Sequence, residues 1–299
     1  MPQRVVAHWT EQDLQEQKLK TWIISAVSVL GLASCATTEA PRLSSADQVW
    51  VVTADHQLVS FPTERPRRVL SQQPLTGLHP GEHVVGIDFR VARGILYALT
   101  DGGRLMTVNT QTGAMTPVAT APLPTTFRGQ VFGFDFNPTV DRIRVVNESG
   151  QNLRLHPDTG ALVSSDPDLV YAEGDVHAGQ APQVIAAGYT YNQQDDKLTT
   201  NFAIDRANGS LVTQGTREGI QPAVSPNTGQ LFTVGPLGIG AFEDISFDIS
   251  DIDNIALVVA SGQGAPRAVL YRLNLDTGAA QRIGALGVRG AIRGMAIQP

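Results

Sequence analysis

A single cysteine, Cys35, serves all 299 residues. With no second thiol, the chain has neither an internal disulfide nor a soft thiolate metal centre. Basic residues are few as well: 22 Lys and Arg stand against 28 Asp and Glu, for a net charge of −6. No basic stripe is available to neutralise a phosphate backbone, so nucleic acid is excluded as a partner. The six histidines, at 8, 56, 79, 83, 156 and 177, lack metal-type pairing. The nearest pair, His79 and His83, lies in a Pro-Gly loop that cannot act as a helix face. A Gly-x-Ser-x-Gly elbow and a phosphate-cradling loop are both missing from the sequence. With only four Met against 29 Gly and 18 Pro, the chain is poor in helix formers and rich in turn punctuation, a profile of many short strands.

The one conspicuous apolar run, residues 22–33, is too short to cross a bilayer as a helix and follows Lys18 and Lys20. It ends in Leu32-Ala33-Ser34-Cys35, small residues at a cut site after a charged flank, the layout of a signal peptide. The tetrapeptide resembles the lipobox of bacterial lipoproteins. The resemblance implies cleavage before Cys35, lipidation of its thiol and attachment of the exported chain to a membrane. Ala36, rather than Asp, follows the cysteine. This is similar to lipoproteins sent to the outer membrane or cell surface where the source has two membranes. The expected organisation is a signal peptide over 1–34, a lipidated cysteine and tether over 35–47, and one folded domain over 48–299.

Within that domain, five short apolar segments share an inner-strand pattern with a glycine or another small residue: Val84-Val85-Gly86-Ile87-Asp88-Phe89, Val131-Phe132-Gly133-Phe134-Asp135-Phe136, Ile185-Ala186-Ala187-Gly188-Tyr189-Thr190, Asp244-Ile245-Ser246-Phe247-Asp248-Ile249 and Ile292-Arg293-Gly294-Met295-Ala296-Ile297. Such runs suit strands buried on both faces. Turn signals recur at Gly113, Gly160, Gly209 and Gly278, about 50 residues apart for the first three, the period of four-stranded propeller blades. Strands expected at 49–53, 58–61 and 67–70 lack an inner strand before them, and the last segment, 291–298, has nothing after it. Pairing the two ends completes a blade and closes the ring. The fold class is therefore all-β, a five-bladed β-propeller closed by its N- and C-terminal strands, or six-bladed if residues 188–238 hold two sheets.

The stretch Gly133-Phe134-Asp135-Phe136-Asn137-Pro138-Thr139-Val140-Asp141-Arg142-Ile143-Arg144-Val145-Val146, with Gly150-Gln151-Asn152-Leu153-Arg154-Leu155 and Asp158-Thr159-Gly160, resembles the bacterial domain-of-unknown-function family 4394, as does Ser225-Pro226-Asn227-Thr228-Gly229-Gln230-Leu231-Phe232. The resemblance covers residues 84–297 and implies a secreted, repeat-built protein. The family has no assigned activity, so it supplies no catalytic residue.

Propellers bind where inner-strand ends and connecting loops converge. Asp88 and Asp135 recur at one position of the inner strands, and Asp248 repeats it, so the three are candidates to ring the channel around a cation or polyol; the alternative is that each accepts backbone hydrogen bonds. Asn137, Asp141, Arg142, Arg144, Asn152 and Arg154 concentrate charge in the third blade. Their guanidinium forks suit a carboxylate or sugar acid, unless they form an inter-blade ion network with Asp135 and Asp141. Asp248, Asp251 and Asp253 are the candidate calcium ligands, although the glycine and terminal glutamate of an EF-hand loop are missing. No cofactor other than calcium is expected. The expected function is a non-enzymatic, lipid-anchored binding or scaffold propeller for a protein, glycan or small molecule. The alternative is a metal-dependent propeller hydrolase or lactonase working in the channel.

Overall fold

The computed structural model describes residues 48–299. Cys35, the signal segment and the tether lie outside the described residues. The described chain contains five sheets whose inner strands pack side by side around a common axis. The first sheet holds β1 (Gln48–Thr53), β2 (Gln57–Pro62) and β3 (Ser71–Pro74). The second is β4 (Val84–Arg90), β5 (Ile95–Thr100), β6 (Leu105–Val108) and β7 (Met115–Pro117), and the third β8 (Phe132–Asn137), β9 (Arg142–Asn147), β10 (Asn152–Leu155) and β11 (Leu162–Ser165). A short β12 (Val170–Tyr171) precedes the antiparallel strands of the fourth sheet, β13 (Val184–Tyr189), β14 (Asn201–Asp205), β15 (Ser210–Gln214) and β16 (Gln230–Pro236). The fifth sheet is β17 (Asp244–Ile249), β18 (Ala256–Ser261), β19 (Val269–Leu273) and β20 (Ala280–Ala285). The final strand, β21 (Ile292–Ile297), pairs antiparallel with β1, Val49 opposite Ile297 and Val51 opposite Met295. It becomes the inner strand of the first sheet, in the order β21-β1-β2-β3. The result is a five-bladed β-propeller closed by its two terminal strands.

Each inner strand is buried along most of its length because it is covered on both sides by neighbouring blades. The buried apolar residues form five clusters, each at one junction between successive blades. Val51, Phe61, Leu257 and Met295 join the fifth blade to the first, and Trp50, Ile87, Leu96 and Met106 join the first to the second. Leu99, Phe134, Phe136 and Leu153 fill the next junction, and Ile204, Phe247 and Val258 the fourth-to-fifth junction. The junction between the third and fourth blades has the fewest buried apolar members, among them Val146, Val184 and Leu231. Small residues let the inner strands approach this closely. A Cβ on Gly86 would lie 2.5 Å from the Phe134 side chain, and one on Gly133 would lie 2.7 Å from the backbone of Ala186 and Ala187. The axial space enclosed by these strands is only about 20 Å³, too little for any ligand larger than a water.

The expected turns form. Gly113, Gly160, Gly209 and Gly278 all adopt positive φ, and the Asn109 and Asn274 side chains accept backbone N–H groups of the turns they begin. Three expectations change. The outer strand of the first blade is Ser71–Pro74 rather than 67–70. Two successive turns, Arg65 N to Pro62 O and Arg68 N to Arg65 O, delay the chain's return alongside β2. The two-sheet alternative for 188–238 does not hold, because β16 is the fourth antiparallel strand of the fourth sheet and β12 adds to it in parallel. The inner strand of that blade also starts one residue earlier than the pattern suggested, at Val184. Gly188, not Tyr189, therefore stands where the second, third and fifth blades carry aspartate.

Candidate functional site

Asp88, Asp135 and Asp248 emerge near the ends of three inner strands, are all buried, and bring one oxygen each to within 4.8 Å of one another. Their hydrogen bonds follow a rule. Each takes the backbone N–H of the following blade's inner strand: Asp88 that of Phe136 at 2.7 Å, Asp135 that of Tyr189 at 2.9 Å, and Asp248 that of Ile297 at 2.6 Å. Where the preceding blade offers Gly188 or Ala296 instead of a carboxylate, the aspartate also caps its own strand. Asp88 therefore binds Phe89 N, and Asp248 binds Ile249 N. Five of the six oxygens thus accept main-chain donors, and the Asp135 carboxyl hydrogen-bonds to Asp248. Burial, and then mutual repulsion, lift Asp88 and Asp135 well above the ordinary carboxylate range. Burial raises Asp248 to about 7, and burial with the Asp248 charge raises Asp251 to about 8. The trio acts first as a set of staples across three of the five blade junctions.

The calcium triad of the sequence is not brought together as a unit. Asp251 adjoins the carboxylate cluster electrostatically, whereas Asp253 is exposed and accepts the N–H of Ile255 two residues on. For a cation needing six to eight oxygen ligands, the cluster fits poorly, because it offers three carboxylates and five of their six oxygens already accept backbone donors.

The third-blade residues assemble differently. Arg144 on β9 is almost fully buried, and its guanidinium is held on all sides. Nε donates to the Tyr189 hydroxyl at 3.2 Å, Nη1 to Asn152 Oδ1 at 2.7 Å and Asp166 Oδ2 at 2.8 Å, and Nη2 to Asn227 Oδ1 at 2.6 Å. Arg154, directly opposite it on β10 in the antiparallel register, forks onto both oxygens of Asp166 at 2.8 Å. Gln214 of the fourth blade completes the lattice by donating to Asn152 Oδ1 and Pro226 O. This polar network lies at the junction with the fewest buried apolar side chains.

Above it opens a groove of about 670 Å³ between the third and fourth blades, walled by β9 to β11 on one side and by residues 197–199 and 216–227 on the other. Arg142, Arg144, Arg154, Lys197 and Arg217 line it, with Glu218 the lone carboxylate of the lining. Asn137 lines it too, its side chain accepting Thr139 N and Val140 N in the turn. Asp141 turns away, in a left-handed conformation at φ 49, and binds Arg90 of the second blade. Arg90 also grips Asp158 at 2.5 Å, a clamp across the second and third blades. A larger hollow of about 840 Å³ on the second blade is lined by His79, Glu82, Asp101 and Arg104. Its main charges cancel, since Glu82 and Arg104 pair at 2.7 Å. Although burial opposes it, the hydrogen bonds from Arg104, His79 N and Thr100 bring Glu82 down to about 2.

The sequence pattern did not single out Asp166, Asn227, Tyr189, Lys197 or Arg90. On the ion-network alternative the arginine partners were Asp135 and Asp141; the observed partner of Arg144 and Arg154 is Asp166. Asp166 lies just past β11, and only the antiparallel register of β10 and β11 brings it beneath Arg154 and Arg144. The sole linear sign was an acid at the end of the hairpin that follows two arginine-bearing strands.

The fold and its polar junction define a five-bladed propeller with a cation-lined surface groove. The chain belongs to the family described as Domain of unknown function (DUF4394), whose sequence model matches residues 57–296. No curated protein matches it. Among solved structures it is similar to a protein of unknown function from Bacteroides thetaiotaomicron (14% identity, 79% of this chain and 64% of that one, TM-score 0.46). It is also similar to TolB from Acinetobacter baumannii (13% identity, 88% and 69%, TM-score 0.44). A third is the dihydro-heme d1 dehydrogenase NirN in complex with DHE (15% identity, 84% of this chain and 46% of that one, TM-score 0.37). The chain thus spans less than two thirds of the length of NirN and of the Bacteroides protein.

Proposed function

We propose that this protein is a non-catalytic binding propeller, carried on the cell envelope by a lipidated Cys35, that takes an anionic ligand in the groove between its third and fourth blades. One observation carries the reading: a chain of net charge −6 gathers five cationic side chains and one carboxylate in a single groove. Asp166 and Asp276 pair with three of these cations, while Arg142 and Lys197 have no carboxylate partner among the described residues, and an anionic ligand would supply the missing counter-charge. The floor is also preorganised. Arg144 and Arg154 are fixed by Asp166 and Asn152 before any ligand arrives, which lowers the ordering cost of binding.

The experiment is titration calorimetry of the full chain with acetate, glucuronate and inorganic phosphate, repeated on Arg142→Glu. Binding that the substitution abolishes supports the groove; equal binding by both proteins rules it out. Convergence of Asp88, Asp135 and Asp248 favours the alternative of a metal-dependent hydrolase, while the backbone donors on five of their oxygens weigh against it. Calcium added to the same protein should leave its melting temperature unchanged on the binding reading and raise it on the hydrolase reading. For the anchor, the support is the Leu32-Ala33-Ser34-Cys35 sequence after a charged apolar leader. In cells fed an alkyne-tagged fatty acid, wild-type protein should take up label and Cys35→Ser should not.

A further inference from the structure

Charge is only half of what lines the groove. Among the described residues, nine large apolar side chains are substantially exposed, and four of them belong to this one groove: Val140 (55%), Val163 (45%), Leu198 (39%) and Ile220 (52%). They come from four separate segments: the β8–β9 turn, β11, the β13–β14 connection and the β15–β16 connection. Scattered single exposures need no explanation, but apolar side chains converging from four segments on one concavity mark a binding surface.

The cations divide into two kinds. Arg144 and Arg154 share Asp166, and Arg217 pairs with Asp276 at 2.9 Å while lying over the Phe202 ring at 5.1 Å. Arg142 and Lys197 have no carboxylate partner among the described residues; Arg142 donates only to the carbonyls of Val140 and Asp141. Two free cations and four exposed aliphatic side chains thus share a space of about 670 Å³, a volume typical of small-molecule sites.

Resting on the reading of the groove as an anion site, we propose that its ligand is a small amphiphile: a single carboxylate or phosphate head held by Arg142 and Lys197, with an aliphatic body lying on Val140, Val163, Leu198 and Ile220. A sugar acid would leave the aliphatic rim against hydroxyl groups, and a neutral lipid would leave the two cations without a counter-charge. An anionic amphiphile satisfies both.

The test uses the full chain and three probes, decanoate below its micelle concentration, decan-1-ol and acetate, measured by titration calorimetry. Decanoate should bind at least about tenfold more tightly than either of the others, since each supplies only half of the complementarity. The double variant Arg142→Gln/Lys197→Gln should reduce decanoate binding to the level of decanol. Val163→Ser/Leu198→Ser should reduce it to the level of acetate while leaving acetate itself unaffected. All four positions are at least partly exposed, so the folded state tolerates these changes, and circular dichroism verifies that. Acetate binding as tightly as decanoate, with both lost in Arg142→Gln/Lys197→Gln, would leave an anion site standing and overturn the amphiphile. Decanol matching decanoate, or decanoate binding untouched by all four substitutions, overturns it as well. So does displacement of decanoate by an acidic apolar tetrapeptide at lower concentration, which would make the groove a peptide site. If none of the probes binds, the anion reading falls with it.

Discussion

Tyr189 connects the two polar centres of the molecule, its backbone N–H bonded to Asp135 and its hydroxyl to Arg144. The carboxylate trio on one side of it has a definite pH signature. Asp248 and Asp251 hold folded-state pKa values of about 7 and 8, above the ordinary aspartate value. A group raised in this way binds its proton more tightly folded than unfolded, so its contribution to stability is present at low pH and is lost as pH rises toward the folded value. Glu82, Asp166 and Asp175 are shifted down and oppose this only at strongly acidic pH, where their partners no longer retain them as carboxylates. The melting temperature should therefore rise by several degrees as pH is lowered from 8 to 5, then fall in stronger acid. Asp248→Asn should flatten the upper part of that profile in differential scanning calorimetry, and an unchanged profile would contradict the assignment. Arg144→Met leaves Asp166, Asn152 and Asn227 without their shared donor. Asp166 keeps Arg154, so the loss should be smaller than the roughly 3–5 kcal/mol of a wholly orphaned buried charge, an effect readable as a lower urea midpoint at unchanged slope.

At the level of strands and turns, most of the architecture was legible because the apolar pattern, the turn glycines and the unmatched ends agreed with one another. What misled was local. The strand expected at 67–70 became a pair of turns, and the fourth blade's inner strand slipped by one residue, since neither Gly188 nor Ala187 distinguishes its register by side chain. The third-blade arginines were legible as a concentration of charge. Their partner was not, because Asp166 reaches them through strand pairing and blade docking, which leave no fixed spacing in the sequence. Close approach at the inner strands gives a test at this scale. Gly133→Ala places a methyl against the backbone of Ala186 and Ala187 at 2.7 Å, where no flexible side chain can yield. Overpacking of that kind costs about 1–3 kcal/mol and should lower the denaturation midpoint. Gly209→Ala, in a positive-φ turn with no neighbour within 4 Å of the new methyl, should cost less because only local backbone strain opposes it.

For the molecule as a whole, the closing sheet has a special place. β21 supplies an inner strand, Ile297 N meets Asp248 of the fifth blade, and Trp50 Nε1 donates to Gln298 Oε1 at 2.9 Å. Truncation after Arg289 removes all of these, leaves β1 with an open edge and uncovers the inner strand of the fifth blade, whose Asp248 loses its Ile297 donor. The shortened protein should elute as aggregates and lack a cooperative thermal transition, whereas a soluble, cooperatively folding truncation would refute closure as the source of stability. The pairing of Val49 with Ile297 also imposes an order in time. β1 lies at the start of the described residues but cannot gain its inner neighbour until β21 has been made. Blades two to five have all their strands contiguous in sequence and can form as they emerge, while the first sheet must wait for the final residues. Contacts of such long sequence separation form slowly, so docking of the last strand is expected to set the rate at which the ring is completed.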